Sequence, residues 1–69
     1  MVFDDEPLAD IAETLQDTYG YTIEFRKADA RQLRLTGSYP AGRIDLLIAA
    51  VRAVHSVKVE RQGAKIIFE

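Results

Sequence analysis

The sequence predicts a small α+β domain in which a strand–helix–strand unit occurs twice and is followed by one closing strand. Within each unit, apolar residues pass from the alternate spacing of a strand to the spacing of one helix face. The apolar pattern of the first unit also returns 36 residues later in the second, which limits so small a chain to few folds. The residues related by this offset are Phe3 and Tyr39, Leu8 and Ile44, Ile11 and Leu47, Leu15 and Val51, Tyr21 and Val57, and Ile23 and Val59.

Length and composition indicate a single domain over residues 1–69. A hydrophobic content of 48% is sufficient for a core and disfavours disorder. The chain has no cysteine, so it can form neither a disulfide nor a thiolate metal site. Its net charge of −2 disfavours a nucleic-acid binder, because such domains are usually basic. No apolar run approaches the ~20 residues of a membrane helix, so we expect membrane or targeting segments to lie outside this chain.

The first unit is predicted to have a strand over residues 1–4, a helix beginning near Pro7 and a strand over residues 21–26. The carboxylates of residues 4–6 precede the helix, where they can cap free amides and oppose the helix dipole. Gly20 follows the helix, at a position where a left-handed residue commonly ends one. The helix face that we expect to be buried consists of Leu8, Ile11, Ala12, Leu15 and Tyr19.

The second unit is predicted to have strands over residues 33–39 and 57–60, with a helix over residues 43–55 between them. A turn at Gln62-Gly63 then leads to the closing strand over residues 64–68. The helix has two apolar stripes, so we expect it to be buried on more than one side, whereas the first helix exposes an acidic face. The main stripe is Ile44, Leu47, Ile48, Val51 and Val54, and the second is Leu46, Ala49, Ala50 and Ala53.

No pattern in the sequence indicates catalysis. His55 is the only histidine, and it has no neighbouring nucleophile motif, so we expect a structural role at the end of the second helix. Asp10, Glu13 and Asp17 have helical spacing on the polar face, which is typical of a solvated surface rather than of a metal or acid–base site. We therefore predict no catalytic residue, no metal and no cofactor.

Basic residues gather over residues 26–34, within which residues 27–32 are a polar stretch that is predicted to be a loop or a single helical turn. An ordinary charged loop is one explanation, and a patch that binds a partner is the other. In the closing strand, Ile66 and Phe68 share one face, which leaves Ile67 on the other and suggests an edge strand open to a partner. The predicted partner-binding residues are therefore Arg26, Lys27, Arg31, Arg34, Lys65 and Ile67.

Several short motifs together resemble a known family. They are the opening Phe3-x-x-x-Pro7-Leu8, the pair Tyr19-Gly20 after the first helix, Thr36-Gly37-x-Tyr39 in a strand, and the ending Gly63–Phe68. Joined with the apolar second helix, they resemble the C-terminal domain of FecR-type anti-sigma factors, which is related to the short N-terminal domain of secretins and TonB-dependent transducers. The resemblance extends over essentially the whole chain.

This resemblance implies both a fold and a function. The fold would hold two helices between a two-stranded and a three-stranded sheet. The function would be that of a non-catalytic, periplasmic protein-interaction domain of an inner-membrane protein. Its partner would be the signalling domain of a TonB-dependent outer-membrane transporter, while a sigma factor is bound by parts outside this chain.

Two other interpretations remain open at this point. The first alternative is the related N-terminal signalling domain of a TonB-dependent transporter or of a secretin, which the pattern does not separate from the FecR-type domain. A small ferredoxin-like domain that binds nucleic acid or a ligand has a similar order of strands and helices. An RNA-recognition module of that kind would need solvent-facing aromatic residues on a central strand, which residues 34–39 do not supply.

Overall fold

The computed structural model describes all of residues 1–69 and confirms the α+β class, with two strand–helix–strand units and a closing strand. The order of elements is the predicted one, with the polar stretch before the third strand forming a short 3₁₀ segment. The elements are β1 (Val2–Pro7), α1 (Leu8–Tyr19), β2 (Thr22–Phe25), the 3₁₀ segment (Ala28–Gln32), β3 (Arg34–Ser38), α2 (Ile44–His55), β4 (Val59–Gln62) and β5 (Lys65–Phe68).

The two helices repeat one another position by position. Each has 12 residues, and α2 begins and ends 36 residues after α1. Both helices end at a left-handed residue, Gly20 with φ 75° and Ser56 with φ 54°. Their buried residues also follow the offset, so that Leu8, Ile11, Ala12 and Leu15 of α1 correspond to Ile44, Leu47, Ile48 and Val51 of α2. The repeat seen in the sequence is therefore a repeat of packing.

The strands form two separate sheets, as the resemblance implies. β1 and β3 make an antiparallel pair, and β2, β5 and β4 make a three-stranded sheet with β5 in the centre. β5 runs parallel to β2 and antiparallel to β4. β4 and β5 are joined by a two-residue turn at Gly63 and Ala64, one residue later than predicted, in which Gly63 has φ 60°. Two sheets of two and three strands exclude the ferredoxin-like alternative, which has a single sheet.

One hydrophobic core joins the sheets and the helices. Its buried cluster draws residues from β1, α1, β3, α2 and β5, and the inward residues of β2 pack against it. Phe25 of β2 and Phe68 of β5 stack with ring centroids 5.2 Å apart. The alternation of apolar and polar residues in β2 and β3 therefore predicted the inward faces of these strands correctly.

The first helix begins within one residue of the predicted Pro7, but the predicted capping of its start by the carboxylates of residues 4–6 is wrong. Residues 4–6 lie in β1, and α1 begins only at Leu8. No side chain caps the helix, and the Leu8 amide instead donates to the Leu33 carbonyl oxygen at 2.7 Å. Asp5 has φ 52°, where the register of β1 against β3 shifts. The carboxylates therefore surround a bulge in an edge strand, because pairing with β3 extends β1 up to Pro7.

The predicted burial of α2 on more than one side is also wrong. Val54 of the main stripe is 64% exposed and Leu46 of the second stripe is 40% exposed. Ala49 and Ala53 are exposed as well, and Ala50 is half-buried. Alanine is a good helix former on exposed surfaces, so an alanine-rich circumference does not by itself require burial.

Candidate protein-interaction surface

The predicted binding edge at the closing strand is wrong. β5 is hydrogen-bonded on both sides and therefore has no free edge. Ile67 is only 2% exposed and stands in register with Glu24 of β2 and Glu60 of β4. Each side chain of a central strand lies between the side chains of the two neighbouring strands. The methylene groups of Glu24 and Glu60 are therefore placed to cover Ile67. Its side chain is not available to a partner.

A surface groove of about 650 Å³ lies where β2 and β5 end and β4 begins. Its apolar floor consists of Ala30 and Leu33 from the 3₁₀ region and Val57 from the segment before β4. Polar and charged residues form its rim, namely Arg26, Lys27, Asp29, Ser56, Lys58 and Glu69. An apolar floor with a charged rim can accept an apolar side chain of a partner and an adjacent charged group.

Two of the predicted basic residues line this groove, and they differ in pairing. Arg26 Nη1 forms a salt bridge with Glu69 Oε1 at 3.1 Å. Lys27 forms no ion pair, and neither does Lys58 on the same rim. The free positive charge of the groove therefore comes from these two lysines.

The remaining predicted basic residues lie elsewhere. The Arg31 guanidinium is 5.0 Å from the centroid of the Phe25 ring, at cation–π distance. Arg34 Nη1 donates to the backbone oxygen of Asp5 at 2.7 Å and thereby supports the bulge in β1. Lys65 is exposed at the opposite end of the three-stranded sheet from the groove. The predicted set is therefore not one continuous patch.

The structure gives His55 a backbone contact. Its Nε2 lies 2.6 Å from the carbonyl oxygen of Arg34. A carbonyl oxygen can only accept, so Nε2 donates and the imidazole ties the end of α2 to β3. No group of three or more His, Cys, Asp or Glu side chains lies close enough to hold a metal ion.

One exposed ion pair changes the titration of its members. At the start of α2, Arg43 Nε and Nη2 each lie 3.2 Å from an oxygen of Asp45. These hydrogen bonds lower the pKa of the Asp45 carboxyl and raise the pKa of the Arg43 guanidinium. Because both side chains are largely exposed, the pair fixes the local geometry more than it stabilises the fold.

Comparison with known proteins places this geometry in a family. The model of the family described as FecR, C-terminal, matches residues 1–68. The chain therefore belongs to the FecR C-terminal domain family. No curated protein sequence matches the chain.

Two solved structures share the fold. Both are crystal structures of "a putative anti-sigma factor" from Parabacteroides distasonis ATCC 8503, with TM-scores of 0.80 and 0.75 and 12% sequence identity. The similarity covers 100% and 99% of this chain but only 32% of each of those chains. The chain thus spans about a third of the length of the structures it matches. Neither α1 nor α2 is long and apolar enough to cross a bilayer.

Of the nine residues that line the groove, only Arg26 and Lys27 are predicted from the sequence as binding residues. Ala30, Leu33, Val57 and Lys58 come from two segments that no local pattern connects. They meet because β2 runs parallel and β4 antiparallel to the central β5, which brings the end of β2 and the start of β4 to the same end of the sheet. A signal was available at Val57, which matches Tyr21 in the repeat and so marks an inward position.

Proposed function

We propose that this chain is the periplasmic C-terminal domain of a FecR-type transmembrane anti-sigma factor. In this function it is a non-catalytic protein-interaction domain that receives a signal from the signalling domain of a TonB-dependent outer-membrane transporter. The observation that carries the proposal is the match of the FecR C-terminal family to residues 1–68. A sigma factor would be bound, and the membrane crossed, by parts of the protein outside this chain.

The surface chemistry supports a protein partner. The groove combines an apolar floor with two unpaired lysines, a combination that suits a protein surface with carboxylates. Its charged rim includes Asp29 and Glu69 as well as basic residues, so it does not form the uniformly basic stripe of a nucleic-acid site. The family match favours an anti-sigma factor over the related signalling domain of a transporter or secretin.

The proposal is tested by titrating the isotopically labelled 69-residue chain with the signalling domain of the transporter encoded beside it. We expect saturable backbone amide shifts, and a second titration with a signalling domain from an unrelated transporter serves as the control. Absence of shifts at about 100 μM partner, a weak affinity even for a transient complex, would contradict the proposal. Binding of the neighbouring anti-sigma factor instead would identify the chain as a transporter signalling domain.

A further inference from the structure

Of the four sheet edges in this fold, only that of β4 has neither a break in register nor an internal hydrogen bond to its outward backbone groups, although its side chains include the charged Glu60 and Arg61. Edges expose backbone N–H and C=O groups, and proteins block them with bulges, prolines, charges or covering elements. The four edges here are β1 and β3 of the two-stranded sheet and β2 and β4 of the three-stranded sheet. Each can be inspected for such a device.

Both edges of the two-stranded sheet are interrupted. β1 carries a bulge at Asp5, where φ is 52°, and it ends in Pro7, which has no amide hydrogen. On β3, the Arg34 carbonyl oxygen already accepts a hydrogen bond from His55 at 2.6 Å. A partner strand would meet a broken register on one side and an occupied acceptor on the other.

The edge of β2 is blocked by a side chain of α1. The second unit of the repeat lacks the equivalent hydrogen bond. Gln16 Oε1 accepts a hydrogen bond from the backbone amide of Ile23 at 3.2 Å. The residues 36 positions further on are Arg52 and Val59. A guanidinium has donors only, so Arg52 cannot accept the amide hydrogen of Val59.

The backbone of β4 is correspondingly open. The Glu69 amide donates to the Lys58 carbonyl oxygen at 2.9 Å, and Glu60 stands opposite Ile67. In an antiparallel ladder such residues alternate, so the N–H and C=O groups of Val59 and Arg61 point away from β5. No hydrogen bond to these groups is formed, and β4 contains no proline, glycine or bulge.

We propose that β4 is the docking edge of this domain and pairs with an extended, acidic strand of a partner protein. This inference rests on the proposed function, in which the partner is a transporter signalling domain. The unpaired Lys58 precedes β4 directly, and Lys27 lines the same groove from the end of β2. A strand paired along Val59 and Arg61 therefore passes the free positive charge of Lys58, which selects a carboxylate at that point.

A second copy of this chain is a poorer occupant than a different protein. Two copies of β4 can pair antiparallel so that the core-facing side chains of both copies lie on the same side. Two registers of this kind give the greatest overlap. One register places Glu60 opposite Glu60 of the other copy, and the other places Arg61 opposite Arg61. Like charges directly opposite one another destabilise a strand pair.

The test compares Arg61→Pro with Arg61→Ala in binding to the transporter signalling domain. Both variants lose the hydrogen bond from Arg61 Nε to the Gly63 carbonyl oxygen at 3.1 Å. The Arg61 amide faces solvent, so proline removes, relative to alanine, only an outward donor and leaves the ladder to β5 intact. We expect Arg61→Pro to raise Kd about ten- to a hundredfold over Arg61→Ala, because one backbone bond is lost and a partner carbonyl is left unpaired. Thermal denaturation followed by circular dichroism checks that both variants are folded, and Kd is measured only at temperatures at which both are folded.

A charge comparison supplies the second arm. Lys58→Glu is compared with Lys65→Glu, the same charge change at the far end of the sheet. We expect Lys58→Glu to weaken binding about tenfold at low salt and Lys65→Glu to change it by less than about twofold.

Four outcomes decide the inference. Weaker binding of Arg61→Pro than of Arg61→Ala, together with the Lys58 effect, supports β4 as the docking edge. Equal binding by the two Arg61 variants overturns it while the proposed function stands. A wild-type chain that dimerises in light scattering and loses the dimer on Arg61→Pro overturns the choice of occupant. A wild-type chain that binds no signalling domain overturns the proposed function and this inference with it.

Discussion

Replacing Ile67 by aspartate should unfold this domain. The side chain of Ile67 is 2% exposed although it lies on the face of β5 opposite to Ile66 and Phe68. It stands directly between Glu24 and Glu60 on the neighbouring strands. An aspartate at this position would lose the apolar burial and place a third carboxylate between two others.

The magnitude follows from the burial and the charge. Removing a fully buried isoleucine side chain costs about 2–5 kcal/mol of unfolding free energy. An unpaired buried carboxylate adds at least about 1–3 kcal/mol, and repulsion by like charges directly opposite adds more. A chain of this length has a total stability of about 3–10 kcal/mol, so Ile67→Asp removes most or all of it.

Urea denaturation followed by far-ultraviolet circular dichroism measures the effect. Lys65→Asp, an exposed change in the same strand, should cost less than about 1 kcal/mol. Ile67→Val, which keeps the apolar character, should cost about 0.5–1.5 kcal/mol. If the free energy of unfolding of Ile67→Asp lies within about 1 kcal/mol of that of the parent, Ile67 is not buried between the glutamates and the strand order is wrong.

Three further predictions concern α2 and the helix ends. Ala53→Glu should change the melting temperature by less than about 2 °C, because Ala53 is exposed; a large loss would mean that another layer covers α2. Ser56→Gly should stabilise the domain by about 0.5–1 kcal/mol, because Ser56 has φ 54°, and Gly20→Ala should destabilise it by a similar amount, as chemical denaturation would show. Arg43→Ala should raise the pKa of Asp45 in an NMR titration. Because the folded-state pKa of Asp45 is lowered, its small contribution to stability is present above its unfolded pKa of about 3.9 and is lost as pH falls through the folded value.

The helices of this fold could be predicted from sequence because their signals are local. The spacing of apolar residues gave the buried face of α1 correctly in four of its five predicted positions, and only Tyr19 proved exposed. Gly20 marked the end of α1, since a left-handed residue is needed there. The Gly20 and Tyr21 amides then both donate to the Leu15 carbonyl oxygen, the latter at 3.1 Å, which closes the helix end.

The order of strands could not be predicted because it depends on how distant segments dock. Alternation reports which face of a strand is inward, but it does not report which strands lie beside it. One signal for β5 was nevertheless present. Ile66, Ile67 and Phe68 form a continuous apolar run, which is typical of a strand covered on both faces rather than of an edge strand.

The basic stretch illustrates why charge clusters in sequence are poor guides to a site. Arg26 is paired with Glu69 and Arg31 stands over Phe25, so their charges are already engaged by neighbours. The lysines that stay unpaired on the groove, Lys27 and Lys58, come from different halves of the chain. A binding site is built from the groups that folding leaves unengaged, and those groups are known only after the pairs have formed.

The internal repeat also indicates where function lies in this chain. The two units share helix length, buried positions and a left-handed helix end, so these features serve the fold that both units need. They differ in whether the outward backbone amide of the strand after each helix is hydrogen-bonded within the domain. In the first unit Gln16 blocks the Ile23 amide, whereas the second unit has Arg52 at the matching position and leaves Val59 open. Pairing within the domain does not require an open edge, so this difference between the units is what docking of a partner strand on β4, as proposed above, would require.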